Sequence, residues 1–388
     1  YLERDGAKVF DDAVIYEPSL VDAFYQQRGY QPAWTDPSYA REMLKLLASS
    51  TLEGLNPADY HYEEILELVE AFDAPWSDAD ALRAQAEVLL TDGIVLYGKH
   101  LVQGKVDPRS LDASWNYSQR VIKPADVARN LADAIERRQV AAEMEALKVD
   151  TLFYRLMRDK LALYRKRALT EQFSPVPSDK VLREGDRHPN VTALGTRLRQ
   201  MGYLDSRADT GDYFDADMAV AVEALQRDHA LDVDGIVGGQ SFRVLNLSAR
   251  EREALLRINL DRARWIRQDQ TDEYLVVNIA GFELYYLRQG ELIWQTPVMV
   301  GSIDTRTPIF RKRMRYLEFN PTWNVPRGLL SRSLYPRLAS DPGYVDAKGY
   351  EFFGAGGKVD PATIDWSAYT GANFPYRVVQ KPGPDNAM

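Results

Sequence analysis

No cysteine occurs among these 388 residues. That excludes disulfides, thiolate metal sites and cysteine nucleophiles within them, and it leaves the redox compartment open. Histidine is nearly as scarce. His61, His100, His188 and His229 are scattered without ligand-type spacing, so no zinc or other metal site is expected, and no cofactor. No apolar run approaches the roughly 20 residues that span a bilayer. No signal-peptide pattern stands at the start, which is Tyr1, so any targeting segment is expected to have been removed or never to have existed. Basic charge is short as well. Lys and Arg number 48 against 57 Asp and Glu, a net charge of -9, which argues against nucleic acid or an anionic membrane surface as a partner.

What is present suits a soluble globular chain, with 45% hydrophobic and 27% charged residues, and its length calls for two to four domains. The organising stretch is 274–328. Its β-branched and aromatic runs at 274–279, 282–287, 293–301 and 319–326 are broken by Gly, Asn or Pro, as antiparallel strands are. Residues 1–174 ahead of it read as helical. Pro18 opens a helix with Leu20 and Phe24 on one face and Val21 and Tyr25 on the next, stopped at Gly29-Tyr30. Further helices are expected at 38–50, 63–72, 79–101 and 127–136, the last with Pro124 in its first turn. Breaks fall at 54–57, Pro75-Trp76 and 104–108. Nothing there suggests chemistry, so a helical scaffold is expected.

Pro175-Val176-Pro177-Ser178 reads as a linker into a compact module at 185–247. Val191, Leu194, Leu198 and Met201 line one helix opened near Pro189, and Asp215 suits the N-cap of a second with Met218, Val222 and Leu225 inward. With Met201-Gly202-Tyr203 and the run 234–241, this segment resembles the three-helix peptidoglycan-binding module of bacteria. Leu225 stands where that family has Phe, Gly239 where it has Pro, and Ser241 where it has Thr. The resemblance implies glycan contacts from Tyr203, Asp234 and Gly235; the plainer alternative makes Asp234, Gly235 and Gly238 turn formers. A charged helix at 249–266, with Leu256, Leu260, Ala263 and Ile266 on one face, is expected to return the chain to the scaffold across 248–270, with Trp265 as a packing residue.

From Tyr274 the pattern resembles the L,D-transpeptidase catalytic domain in its long, multi-domain form. The strand pair at 274–287, Val300-Gly301 with Thr307-Pro308-Ile309-Phe310, and Asn320-Pro321-Thr322-Trp323-Asn324-Val325-Pro326 carry that resemblance. Residues 31–34, 52–60 and 91–108 also look like that family's scaffold. The implied fold is α+β and multidomain: helical scaffold, three-helix module, and a mainly antiparallel β catalytic domain at 272–388 with a lid at 331–375. The resemblance places Trp323, Asn324, Tyr350 and Phe352 toward the substrate; the alternative puts Trp323 in the core and leaves Asn324 to cap a turn.

In that family a Cys–His segment comes after the run here written Pro382-Gly383-Pro384-Asp385-Asn386-Ala387, and this chain stops at Met388. Its catalytic residues therefore have no counterpart here, and the segment bearing them is expected to lie beyond Met388. The implied reaction joins stem peptides by 3–3 links through a cysteine acyl-enzyme. The thiolate needs a neighbouring His, and oxyanion donors contribute roughly 3 kcal/mol each. Implied partners are peptidoglycan stem peptides and glycan strands, with carbapenem-type inhibitors for the complete enzyme. A membrane is expected only through an absent N-terminal anchor, and the location is periplasmic. The alternative is a non-catalytic peptidoglycan-binding scaffold. A glycosidase pair drawn from carboxylates such as Asp360 and Asp365 has little behind it, because 57 acidic residues supply pairs by chance.

Overall fold

The computed structural model describes residues 8–9, 13–73, 76–111, 115, 120–205, 211–266, 272–302, 306–341 and 343–387. Pro75 of the expected break, residues 267–270 of the expected connection, and Met388 lie outside them. The fold is α+β and multidomain, and it divides into two compact units, Tyr1–Arg311 and Lys312–Met388.

The first unit opens with a short antiparallel pair, β1 (Lys8–Val9) and β2 (Ala13–Val14). Helices α1 (Pro18–Gln27) and α2 (Pro37–Ala48) both begin on proline, whose missing N–H would be unbonded there anyway. Asp36 caps α2 by accepting from the Ser38 and Tyr39 amides. The expected faces hold: Leu20, Val21, Phe24 and Tyr25 are all buried. After α3 (Tyr62–Leu68), the long α4 (Trp76–Gln103) buries Leu89, Leu90, Ile94, Tyr97 and Leu101 completely, along with the polar Glu87, Thr91 and Asp92. Gly93 lets it approach the preceding chain, since a Cβ there would stand 2.5 Å from the Tyr60 carbonyl oxygen. Helices α5 (Pro124–Glu136) and α6 (Val140–Ala146) close this core.

Helix α7 (Leu152–Ala168) packs against α11 (Ala249–Trp265), and the three-helix module falls between them in sequence: α8 (Pro189–Met201), α9 (Ala216–Asp228) and α10 (Gly239–Leu245). Its core holds Val191, Leu194, Leu198, Phe214, Val222 and Leu225, all fully buried, and Asp215 caps α9 through the Met218 amide. The apolar face expected on α11 is only partly realised. Leu260 is fully buried, Ile266 is 47% exposed, and the charged Arg264 is 1% exposed. Docking on α7 explains the inversion, because Arg264 meets buried acceptors there, the Glu53 carbonyl and the Tyr154 hydroxyl at 2.8 Å. Glu53 is itself buried, 3.2 Å from both Lys148 and Arg158, and it accepts from Tyr154 at 2.8 Å. Buried charge persists only with such partners.

The first unit ends in a meander, β3 (Glu273–Asn278), β4 (Glu283–Arg288) and β5 (Glu291–Pro297), with β4 central. Strand β5 stops at Pro297 rather than 301, because Pro297 pairs with Glu283, where β4 begins. Leu287 is the one fully buried residue of the sheet, and Ile293 and Trp294 are more than half exposed.

The second unit has a four-stranded antiparallel sheet in the order β6-β9-β7-β8: β6 (Trp323–Asn324), β7 (Tyr350–Gly354), β8 (Gly357–Val359) and β9 (Arg377–Gln380). The expected lid, 331–375, supplies most of this unit's core rather than a loosely packed loop. A continuous helical run of α12 (Arg327–Leu329), a π turn (Leu330–Leu334) and α13 (Tyr335–Ser340) is followed by α14 (Gly343–Ala347). Phe374 is the hub, with Trp366 stacked on it at 5.5 Å and Tyr335, Phe352, Tyr369 and Tyr376 around it. Clustered aromatics bury enough area to organise a Gly- and Pro-rich segment. Gly371 is required where the chain crosses Ser331, since a Cβ would stand 2.5 Å from that residue's Cα.

Candidate functional site

Strand alternation sorts the second unit's candidates. The register pairs Trp323 and Tyr350 with Gln380, and Phe352 with Val378, so these five residues share one face of the sheet. That face is the core side: Phe352 and Val378 are buried, and Trp323 and Tyr350 pack half-buried against the same cluster. Asn324 is the next residue after Trp323 and therefore points to the opposite face. There Arg377 donates to Asn324 Oδ1 at 3.0 Å and lies over the Phe353 ring, 4.9 Å from its centroid. The four residues expected to face substrate thus do not form one wall. Phe352 is 0% exposed, and its ring packs in the core. Trp323 and Tyr350 present only their outer edges, Tyr350 beside the Tyr344 ring at 6.1 Å. Burial pushes the Tyr350 hydroxyl above its ordinary range. Asn324 and Arg377 are the exposed polar pair, and Arg377 went unnoticed in the sequence because strand register alone brings it to Asn324.

Gln380 organises the chain beyond β9. It is 2% exposed and donates to the Lys348 and Asp385 carbonyls at 2.9 and 2.8 Å, while its Oε1 accepts from the Ala387 amide at 3.0 Å. Asn386 donates to the Pro321 carbonyl at 3.1 Å. The Pro-Gly-Pro-Asp-Asn-Ala run is therefore folded back onto the strand pair that carries Trp323 and Asn324. Asp360 and Asp365 cap local turns through the Ala362 and Ser367 amides. The Ser367 hydroxyl and amide hold the Asp365 carboxyl below its ordinary range, opposite to what a general acid needs.

In the three-helix module, Asp234 and Gly235 are held by Gln226, a side chain 2% exposed. Its Oε1 accepts from both their amides at 3.1 and 3.0 Å, and its Nε2 donates to Asp234 Oδ1 at 2.8 Å and to the Ile236 carbonyl at 3.0 Å. Gly235 has φ +68°. The Ile236 amide and Gln226 together hold the Asp234 carboxyl below its usual value. These residues build the turn. Tyr203 is half-buried, and its hydroxyl donates to Asp228 Oδ2 at 3.0 Å; burial and that carboxylate push it upward.

Three models of known families match the chain, and the third match crosses the boundary between the two compact units. Residues 19–161 match the scaffold domain, 187–245 the family described as “Putative peptidoglycan binding domain”, and 272–383 the L,D-transpeptidase catalytic domain. Residues 272–383 are thus similar to the L,D-transpeptidase catalytic domain. A curated relative from Haemophilus influenzae, “Putative L,D-transpeptidase”, is 38% identical over 115 residues. The match covers 29% of this chain and 23% of the relative, so the chain spans under a quarter of that relative's length.

The family's cysteine chemistry has no nucleophile among these residues, because the sequence contains no cysteine. His61 and His100 belong to the helical scaffold, His188 caps α8 and His229 ends α9, so none falls in the second unit. Among the described residues, no helix is long and apolar enough to cross a membrane.

Proposed function

We propose that the protein acts on peptidoglycan as an L,D-transpeptidase, joining stem peptides by 3–3 links through a cysteine acyl-enzyme. These 388 residues supply the recognition and positioning parts of that activity and no thiolate. The observation that carries the reading is the presence, in one chain, of a peptidoglycan-binding domain match and a transpeptidase catalytic domain match. Stem peptides are then the substrate, glycan strands the anchor, and carbapenems the expected acylating inhibitors. A periplasmic site of action accords with that substrate, with an N-terminal segment as the proposed tether to the inner membrane. Asn324 and the outer edges of Trp323 and Tyr350 are the proposed approach for the stem peptide, and Tyr203 the proposed sugar contact.

The peptidoglycan-binding match, taken alone, supports a second reading, a non-catalytic scaffold that holds the cell wall. One experiment separates the two. The protein is isolated from its native cells, incubated with a carbapenem and weighed intact. A mass increase of one drug adduct supports the transpeptidase; no adduct, with sedimentation on purified sacculi retained, supports the scaffold and sinks the enzyme.

A further inference from the structure

Where α7, α8 and α11 meet, the surface folds into a half-open crevice of about 320 Å³. Tyr164 and Arg167 come from α7, Arg197 and Gln200 from α8, and Arg252 from α11. Three guanidinium groups line it against one carboxylate, Glu171. That carboxylate is committed: it accepts from Arg197 Nη1 at 2.8 Å and from the Ala249 amide at 2.5 Å. Arg197 is committed too, donating to the Leu245 and Leu247 carbonyls at 2.7 and 2.5 Å. Arg167 and Arg252 differ. Their guanidinium carbons lie 5.6 and 5.8 Å from the centroid of the same Tyr164 ring. Neither forms an ion pair with a carboxylate among the described residues. Arg252 is 8% exposed and donates only to the neutral Leu247 and Val244 carbonyls. Burial lowers its guanidinium below the ordinary range.

A buried cation without a counter-charge costs stability that a bound anion offsets. The planar guanidinium fork matches a carboxylate, and Tyr164 offers an apolar ring beneath it. The volume is that of a small fragment rather than a polymer. Tyr203, the module's sugar-contact candidate, is near enough to Tyr164 and Arg252 to feel both groups. We propose that this crevice binds a free carboxylate of a peptidoglycan stem peptide, seated on Tyr164 between Arg167 and Arg252. That assignment rests on peptidoglycan being the partner. Because scaffold and module both line the crevice, occupancy also fastens one to the other.

The test is calorimetric titration of the full chain with a synthetic stem tripeptide, as the free acid and with its carboxylates amidated. Arg167→Gln is the primary variant, since the Arg167 guanidinium stacks on Tyr164 and donates no hydrogen bond among the described residues, and Tyr164→Leu is the second. The free acid binds the unaltered chain, and amidation or Arg167→Gln each weakens it about tenfold or more, the loss of one charge-assisted hydrogen bond. Inorganic phosphate does not compete. Equal affinity for free acid and amide, unchanged affinity in Arg167→Gln, or full competition by phosphate overturns the site. Sedimentation with sacculi is measured alongside. Retained sedimentation with no tripeptide binding sinks the crevice and leaves the peptidoglycan reading standing; loss of both sinks the two together.

Discussion

Substituting Gln226→Met keeps the length and volume of the side chain and removes its polar end. Gln226 bonds the Asp234 and Gly235 amides and the Ile236 carbonyl at 3.0–3.1 Å. In the variant the two amides lose their partner, while the Ile236 carbonyl still accepts from the Gly238 amide at 3.1 Å. An unsatisfied buried group costs about 1–3 kcal/mol. The Gly235 amide is buried and takes the upper part of that range, while the Asp234 amide sits nearer solvent and recovers part of it from water. The expected cost is about 3 kcal/mol. A module of this size has about 3–9 kcal/mol to lose, so much of its stability goes. Hydrogen–deuterium exchange read by mass spectrometry resolves the module from the scaffold. Amides of α8 and α9 lose about two decades of protection, and those of α4 keep theirs. A loss under tenfold would refute the view that Gln226 holds the turn; equal loss in α4 would refute a separately folding module. Asp234→Asn is the control, because its Oδ1 still accepts from Ile236 and Gln226. It should leave exchange unchanged, so that any loss of glycan binding reports on the ligand.

The scaffold and the second unit support three more expectations. Burial pushes His100 down to about 4, against 6.5 when unfolded. Between those values the unfolded chain takes up a proton that the folded one refuses, so stability is full above 6.5 and falls by about 3 kcal/mol toward pH 4. His100→Asn flattens that slope in urea melts at stepped pH; an unchanged slope refutes the burial argument. Glu53→Ala strips the counter-charge from Arg158, leaves Lys148 to Glu145 alone, and costs about 3 kcal/mol by chemical denaturation, and a cost below ~1 kcal/mol would show the cluster to be solvated. Gly371→Ala drives a Cβ onto the Ser331 backbone and lowers stability by about 1–3 kcal/mol, checked by the second unit's thermal transition; a neutral result argues against the close crossing.

Local pattern made several elements legible. The spacing of Val191, Leu194 and Leu198 defined α8, Pro124 marked the start of α5, and Asp215 capped α9, because each depends on neighbours within four residues. The site was less legible. Trp323 and Asn324 are adjacent on a strand, so period-two alternation already sends them to opposite faces, a signal present in the sequence. Asn324 meeting Arg377, and Gln380 holding the Pro-Gly-Pro run, depend on pairing across more than 50 residues and on a turn that no local rule specifies.

Composition and motif determined by themselves that this chain has no thiol, only four scattered histidines, and a peptidoglycan-binding pattern ahead of one similar to a transpeptidase catalytic domain. They did so because those properties belong to residue identity and short-range order. Tertiary structure alone decided that Arg264 is buried while Ile266 is exposed, and that the expected lid carries the second unit's core. It also decided that Arg167 and Arg252, 85 positions apart, share one tyrosine ring. Burial and charge pairing are sums over neighbours from distant segments, and a side chain's own identity does not contain that sum.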